Sequence, residues 1–240
     1  MRIGIIMKNL KLEYLVEKEL KEMGRRFEVI GGERYVKNYD VVLTDYFDGE
    51  NCVLCYEAKE CIRRLKSYLY GKKRFMKLVV GIDPGPKPGI AVIGDGVVVE
   101  EIQLSSVSEV KGLIDSIYYG YSPQIFLIRI GDGDITNRNR IINSLVEHYP
   151  IELVDEKNTS EVITNKDVES AKVIAFTRGK RVREKLNIVV KEGYLKDIQR
   201  KSRIESNGKI TISRILAKKV ALGELTLKEA INKVRNENEK

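Results

Sequence analysis

Tryptophan is absent, histidine occurs once, at position 148, and the 240 residues hold only three cysteines and five prolines. An odd number of cysteines argues against a disulfide framework. Cys52 and Cys55 are spaced C-x-x-C, but Cys61 is the only further thiol and His148 the only imidazole, so a four-ligand zinc site would need distant carboxylates. The three cysteines are better explained as small apolar residues buried on a strand and the helix after it. No run approaches the roughly 18 uninterrupted apolar residues of a membrane helix. The opening MRIGIIMKNLKLEYL has too brief an apolar stretch for a signal peptide. A cytoplasmic protein without membrane contact is expected. An apolar fraction of 42% beside 32% charged residues excludes wholesale disorder, and the length suits one main domain with smaller appendages.

The net charge of +8 is unevenly placed. Between Arg178 and Val220 stand fourteen Lys/Arg against four Asp/Glu, a net of +10, which leaves about −2 for the rest of the chain. A basic region of this kind suits a polyanion, because each phosphate it neutralises releases condensed counterions. Arg178, Lys180, Arg181, Arg183, Arg200, Lys201 and Arg203 are its candidate nucleic-acid contacts.

Periodicity divides the chain into three parts. Residues 1–75 read strand, helix, three strands, helix, a small α/β module ending in the linker Gly71–Phe75. Within it YDVVLTDYFDG resembles the phosphorylated strand of receiver domains. Receivers, however, need an acidic pair after their first strand to hold Mg²⁺, and Met7, Lys8 and Asn9 stand there, so Asp45 is assigned to a turn. Residues 77–180 give the strands KLVVGID, IAVIGDG and VVVEEIQL, with Gly94-Asp95-Gly96 as a hairpin turn. A helix over 107–118, the strand QIFLIRI, a helix over 137–147, the strand IELVD and a helix over 167–178 follow. Residues 181–240 form a basic region with a hairpin turn at Asn207-Gly208 before KITIS and two helices, the last one opened by the capping-box pair Thr226 and Glu229. A helical hairpin over 213–234 suits packing on the main domain as well as DNA reading.

An antiparallel meander followed by alternating helices and strands is the order of the ribonuclease-H-like fold, a mixed α/β sheet. GIDPGPKPGIAV is similar to the first motif of RuvC-type Holliday junction resolvases and YqgF-type nucleases: an aspartate, Asp83, ends a buried strand and a Gly/Pro turn leads into a small-apolar second strand. LVDEKNTS (153–160) resembles the acidic pair followed by Thr-Ser of YqgF-like proteins, and KDVESAKVIAFTRG (166–179) the last helix of both families.

The resemblance spans residues 77–180. It implies a nuclease that cleaves structured DNA or RNA with Mg²⁺ or Mn²⁺ held by Asp83, Glu156 and Asp167, with Asp155 as a further catalytic carboxylate. Phosphodiester hydrolysis needs an activated water and charge relief on the leaving oxygen, which two divalent ions about 4 Å apart can supply. The sequence departs from the resolvases at two points. Arg129 stands where their strand ends in a glutamate, with Asp132 and Asp134 only after the turn, and Ser170 replaces a second helix acid. Asp132 is therefore a candidate further ligand, and Arg129 and Lys87 are candidate phosphate contacts. Resolvases work as dimers because a junction has two-fold symmetry, so a homodimer is implied, although no dimer face is marked. Two other readings stand beside the nuclease: a non-catalytic nucleic-acid-binding protein with the same fold, and an ATP-binding protein of the actin/hexokinase fold. The last needs two such domains, and no second copy is present.

Overall fold

The computed structural model describes residues 1–155, 166–188, 190 and 192–238, without the side chains of residues 166, 167, 237 and 238. Among these, no helix is long and apolar enough to cross a membrane. The molecule is mixed α/β, with two sheets and a helical C-terminal region.

The first sheet is wholly parallel, in the order β2-β1-β3-β4, and contains β1 (Ile3–Ile6), β2 (Phe27–Val29), β3 (Val41–Thr44) and β4 (Cys52–Leu54). The apolar runs of β1 and β3 are buried along their whole length, as befits parallel strands covered on both faces. One face is covered by α1 (Leu10–Glu22) and α2 (Ala58–Leu69). In α1 the buried residues Leu12, Val16 and Leu20 recur every fourth position. The element order matches the periodicity, and a 3₁₀ turn over Glu33–Asn38 adds to it. Asp45 accepts from the backbone N–H groups of Lys8 and Asn9, both at 2.8 Å, and so clamps the loop that leads into α1.

The cysteines correct the sequence reading. Cys55 and Cys61 form a disulfide, with Cα atoms 4.8 Å apart, and Cys52 is a buried free thiol whose pKa burial pushes up. Parity counts cysteines but does not see that the turn from β4 into α2 brings residues six apart face to face.

The second sheet has the order β10-β9-β8-β5-β6-β7. Its strands are β5 (Lys77–Asp83), β6 (Gly89–Gly94), β7 (Val97–Gln103), β8 (Ile125–Gly131), β9 (Ile151–Val154) and β10 (Lys180–Val182). The first three form the antiparallel meander, turning at Asp95 and Gly96, both with positive φ. Strands β5, β8 and β9 are parallel to one another. The meander, α3 (Val110–Tyr121) and α4 (Ile135–Leu145) share the larger core, and α5 (Lys166–Phe176) covers the opposite face. The short β10, absent from the sequence reading, pairs antiparallel with β9 and carries the sheet past residue 180.

Two glycines and one aromatic ring fix this packing. A β-carbon on Gly81 would lie 2.0 Å from the carbonyl oxygen of Ala171 and 2.7 Å from Ala175, so only glycine lets α5 approach β5 this closely. The supposed linker ends in Phe75, which is 1% exposed and fills the space left by Gly94 beside Tyr121.

The C-terminal region corrects a second expectation. No hairpin turns at Asn207-Gly208: residues Glu192–Glu205 form α6, and Asn207 and Gly208, both with positive φ, end that helix. KITIS is a connector without regular secondary structure, tied to α6 through Ser202 and Ser206. Helices α7 (Arg214–Leu222) and α8 (Leu227–Asn238) complete a bundle with its own core of Leu195, Ile198, Ile212 and Ala217 among others. The expected capping box is present, Thr226 N–H donating to Glu229 at 2.8 Å and Glu229 N–H to the Thr226 hydroxyl at 3.2 Å.

Candidate functional site

Parallel strands end on the same side of a sheet, and β5, β8 and β9 bring three aspartates there. Ile82 pairs with Ile130 and Gly131 with Val154, so Asp83, Asp132 and Asp155 follow one another along the carboxyl edge. Adjacent strands are about 4.8 Å apart, which leaves one strand spacing between Asp132 and Asp155 and about two between Asp83 and Asp155. Asp83 and Asp132 are half-buried and Asp155 is exposed.

Cations stand at both ends of this row. Lys87 is exposed in the turn between β5 and β6. On the far side Arg178 and Lys180, at the start of β10, line a cleft of about 450 Å³ together with Asp132, Leu153 and Asp155. The antiparallel pairing of Lys180 with Leu153 is what delivers them to this edge. Arg138, which the sequence reading did not single out, folds back from α4 to donate to the Asp132 carbonyl at 3.1 Å. Its spacing of six residues after Asp132 carries no motif that would have revealed it.

Several candidates are engaged elsewhere. Arg129, assigned to phosphate from its place on the strand, is instead 12% exposed, donates to the Glu152 carboxylate at 2.9 Å and to the Ala175 carbonyl at 2.7 Å, and joins β8, β9 and α5. It lies on the face that α5 covers, which turns it inward. Asp134 caps α4, accepting from the Thr136 and Asn137 amides at 3.1 Å. Arg181 and Arg183 are exposed on and just after β10, while Arg200, Lys201 and Arg203 lie exposed on α6. Asp197 pairs with Arg200 at 3.1 Å and with Lys201 at 3.0 Å, and these two cations hold its carboxyl below the usual range.

Glu156 and most of the 153–160 motif lie outside the described residues, as does the side chain of Asp167, whose backbone belongs to the first turn of α5. Among the described residues, no three carboxylate, imidazole or thiolate groups gather into a metal cluster. The donors along the edge are all carboxylate oxygens, the ligand type of Mg²⁺ and Mn²⁺ rather than of softer metals.

Residues 191–237 match the family model of a three helical bundle domain. That match covers α6 to α8, about a fifth of the chain, and describes an architecture. No curated protein and no solved structure matches the chain.

Proposed function

We propose that the protein is a metal-dependent endonuclease of the RuvC/YqgF kind acting on structured nucleic acid. The observation that carries the reading is the carboxyl edge of the second sheet, where Asp83, Asp132 and Asp155 end three neighbouring parallel strands between Lys87 on one side and Arg178 and Lys180 on the other. The meander and the parallel strands that follow it are ordered as a ribonuclease-H-like sheet would be.

In this reading Mg²⁺ or Mn²⁺ would be held by Asp83, Glu156 and Asp167, as the family resemblance implies, with Asp132 as a further ligand and Asp155 as a further catalytic carboxylate. A divalent ion held there would supply an activated water and charge relief on the leaving oxygen. The chain's own cations bind the phosphates on either side of the scissile one. Arg138 steadies the Asp132 loop through its carbonyl. The exposed cations of β10 and α6 extend the contact along the polyanion.

The alternative, a binding module that kept the fold without catalysis, is favoured by one observation: Arg129, paired with Glu152, occupies the strand position where resolvases carry an acid. A cleavage panel of single-stranded, duplex, forked and four-way DNA and RNA with Mg²⁺ or Mn²⁺ separates the two. Asp83→Asn keeps the side chain's size while removing the charge that holds a divalent ion. It should abolish turnover and leave metal-free affinity level or higher. Binding at moderate salt with no metal-dependent cleavage of any substrate would leave the binding module as the reading.

A further inference from the structure

At the opposite end of the second sheet from the aspartates, the last turns of α3, the start of β8 and the segment before β9 enclose a cleft of about 500 Å³. Its walls are aromatic. Tyr118 stands at the centre, with ring centroids 5.3 Å from Tyr119, 5.2 Å from Phe126 and 5.4 Å from Tyr149, all at steep angles. His148 lies beside Tyr149 at 6.3 Å. Five of the chain's eighteen Phe, Tyr and His rings thus meet at one surface cleft. Packing of α3 on the sheet explains Phe126, which is buried, but not Tyr119, which is 59% exposed on the same rim.

Polar side chains, among them Lys111, Asp115, Gln124 and His148, stand between the rings, and some are already oriented. Asp115 accepts from the Tyr149 hydroxyl and from the Lys111 ammonium, both at 2.7 Å, which fixes the Tyr149 ring. A carboxylate offers about four lone-pair positions, so Asp115 can still accept from an amino group entering the cleft. With one lysine against one aspartate, the lining has no strong charge to select an ion. Ring faces and edges stand beside the side chains of Gln124 and His148, a combination that suits a flat, uncharged aromatic guest with polar edges.

We propose that this cleft is a stacking site for one unpaired nucleobase. The choice of a nucleobase over the aromatic side chain of a protein partner rests on the nucleic-acid reading above. Strand β8 runs from the cleft to the aspartate edge, and its seven residues span about 20 Å. The cleft would therefore hold an unpaired segment flanking the position of cleavage, a feature of forked or branched substrates and not of a blunt duplex.

The composition supplies the test. His148 is the only histidine, so its ring-proton resonances are a single assigned probe inside the cleft. The full-length protein is titrated, without metal, with adenosine 5′-monophosphate, with a single-stranded oligonucleotide, with a blunt duplex and with N-acetylphenylalanine amide. The expected result is a saturable shift of the His148 resonances with the nucleotide and the oligonucleotide. Tyr119→Ala should weaken single-strand affinity about 5- to 100-fold, the range for losing one stacked base, with duplex affinity unchanged. Oligonucleotide binding that leaves His148 unmoved would overturn the stacking site alone. A shift with N-acetylphenylalanine amide but not with the nucleotide would reassign the cleft to a protein partner. Absence of binding to every nucleic acid would remove the functional reading itself, and this one with it.

Discussion

A methyl group at position 81 would have to displace backbone, because the nearest obstacle is the Ala171 carbonyl oxygen at 2.0 Å and not the end of a flexible side chain. Gly81→Ala should therefore destabilise the protein by about 3 kcal/mol or more, at or beyond the upper end for overpacked cores, measured as a lowered urea midpoint. Since α5 bears Asp167 in its first turn, the variant should also lose activity even though no proposed ligand is touched. Arg129 gives a contrasting case. Truncating it leaves Glu152 partly buried without its 2.9 Å partner and removes a bond to the end of α5. Arg129→Ala should cost about 3 kcal/mol of stability while nucleic-acid affinity, measured below the melting transition, changes less than about twofold, well within 0.5 kcal/mol. A large affinity loss in a folded variant would return Arg129 to the phosphate contacts. Asp83 was legible because it ends a buried strand in a compact motif; the close approach of α5 at Gly81 and the face of β8 that turns Arg129 inward were not, since both depend on which helix covers that face.

At the scale of elements, α2 of the first unit and β7 and α3 of the second are joined through one carboxylate. Glu100, with a side chain 7% exposed, takes Arg63 at 3.2 Å, Lys66 at 2.9 Å and the Tyr121 hydroxyl at 2.8 Å, and Arg63 also donates to Ser116 at 2.6 Å. Burial alone would raise the Glu100 pKa, but Arg63 and Lys66 outweigh it and hold the carboxyl below the ordinary value of 4.5. A depressed folded-state pKa stabilises the protein above the unfolded value, and that contribution is lost as pH falls below 4.5 through the folded one. Glu100→Gln leaves two cations facing each other without a counter-charge, at a cost of about 3–5 kcal/mol near neutral pH. The gap between wild type and variant should narrow as pH drops through that window, because the wild-type carboxyl also becomes neutral. A gap that holds constant from pH 7 to pH 3 would show that the charge of Glu100 is not what joins the units. Local periodicity revealed α2, β7 and α3 separately, whereas their joint could not be read: residues 63, 100 and 121 share no spacing rule. The same limit explains α6, a third helix beside the two read for residues 181–240, and β10, whose three residues pair only because β9 offers an edge.

For the whole molecule, the question is whether its positive charge binds phosphate or only faces water. Residues 191–240 carry thirteen Lys/Arg against seven Asp/Glu, a net of +6 of the total +8, so the region that includes the bundle dominates the field. Lys196, Arg200 and Arg203 are exposed on α6 at spacings of four and three, which places them along one face of the helix. Asp197, one residue out of this row, already shares its charge between Arg200 and Lys201. If the face contacts duplex, each phosphate it neutralises adds about 0.9 to the magnitude of the log–log slope of affinity against salt. Replacing all three by Ala should lower that magnitude by about 2 to 3 and weaken binding similarly for every sequence, since backbone contacts carry no base information. Stability should move by less than about 1 kcal/mol, because exposed charges contribute little. The measurement is a salt titration of duplex binding, in the absence of metal, for wild type, the triple variant and Asp83→Asn. Asp83→Asn should leave the slope unchanged, because it removes a metal ligand and no phosphate contact. A triple variant with the wild-type slope would mean that α6 faces solvent, and would shift the polyanion contact to Lys87, Arg178 and Lys180 at the sheet edge.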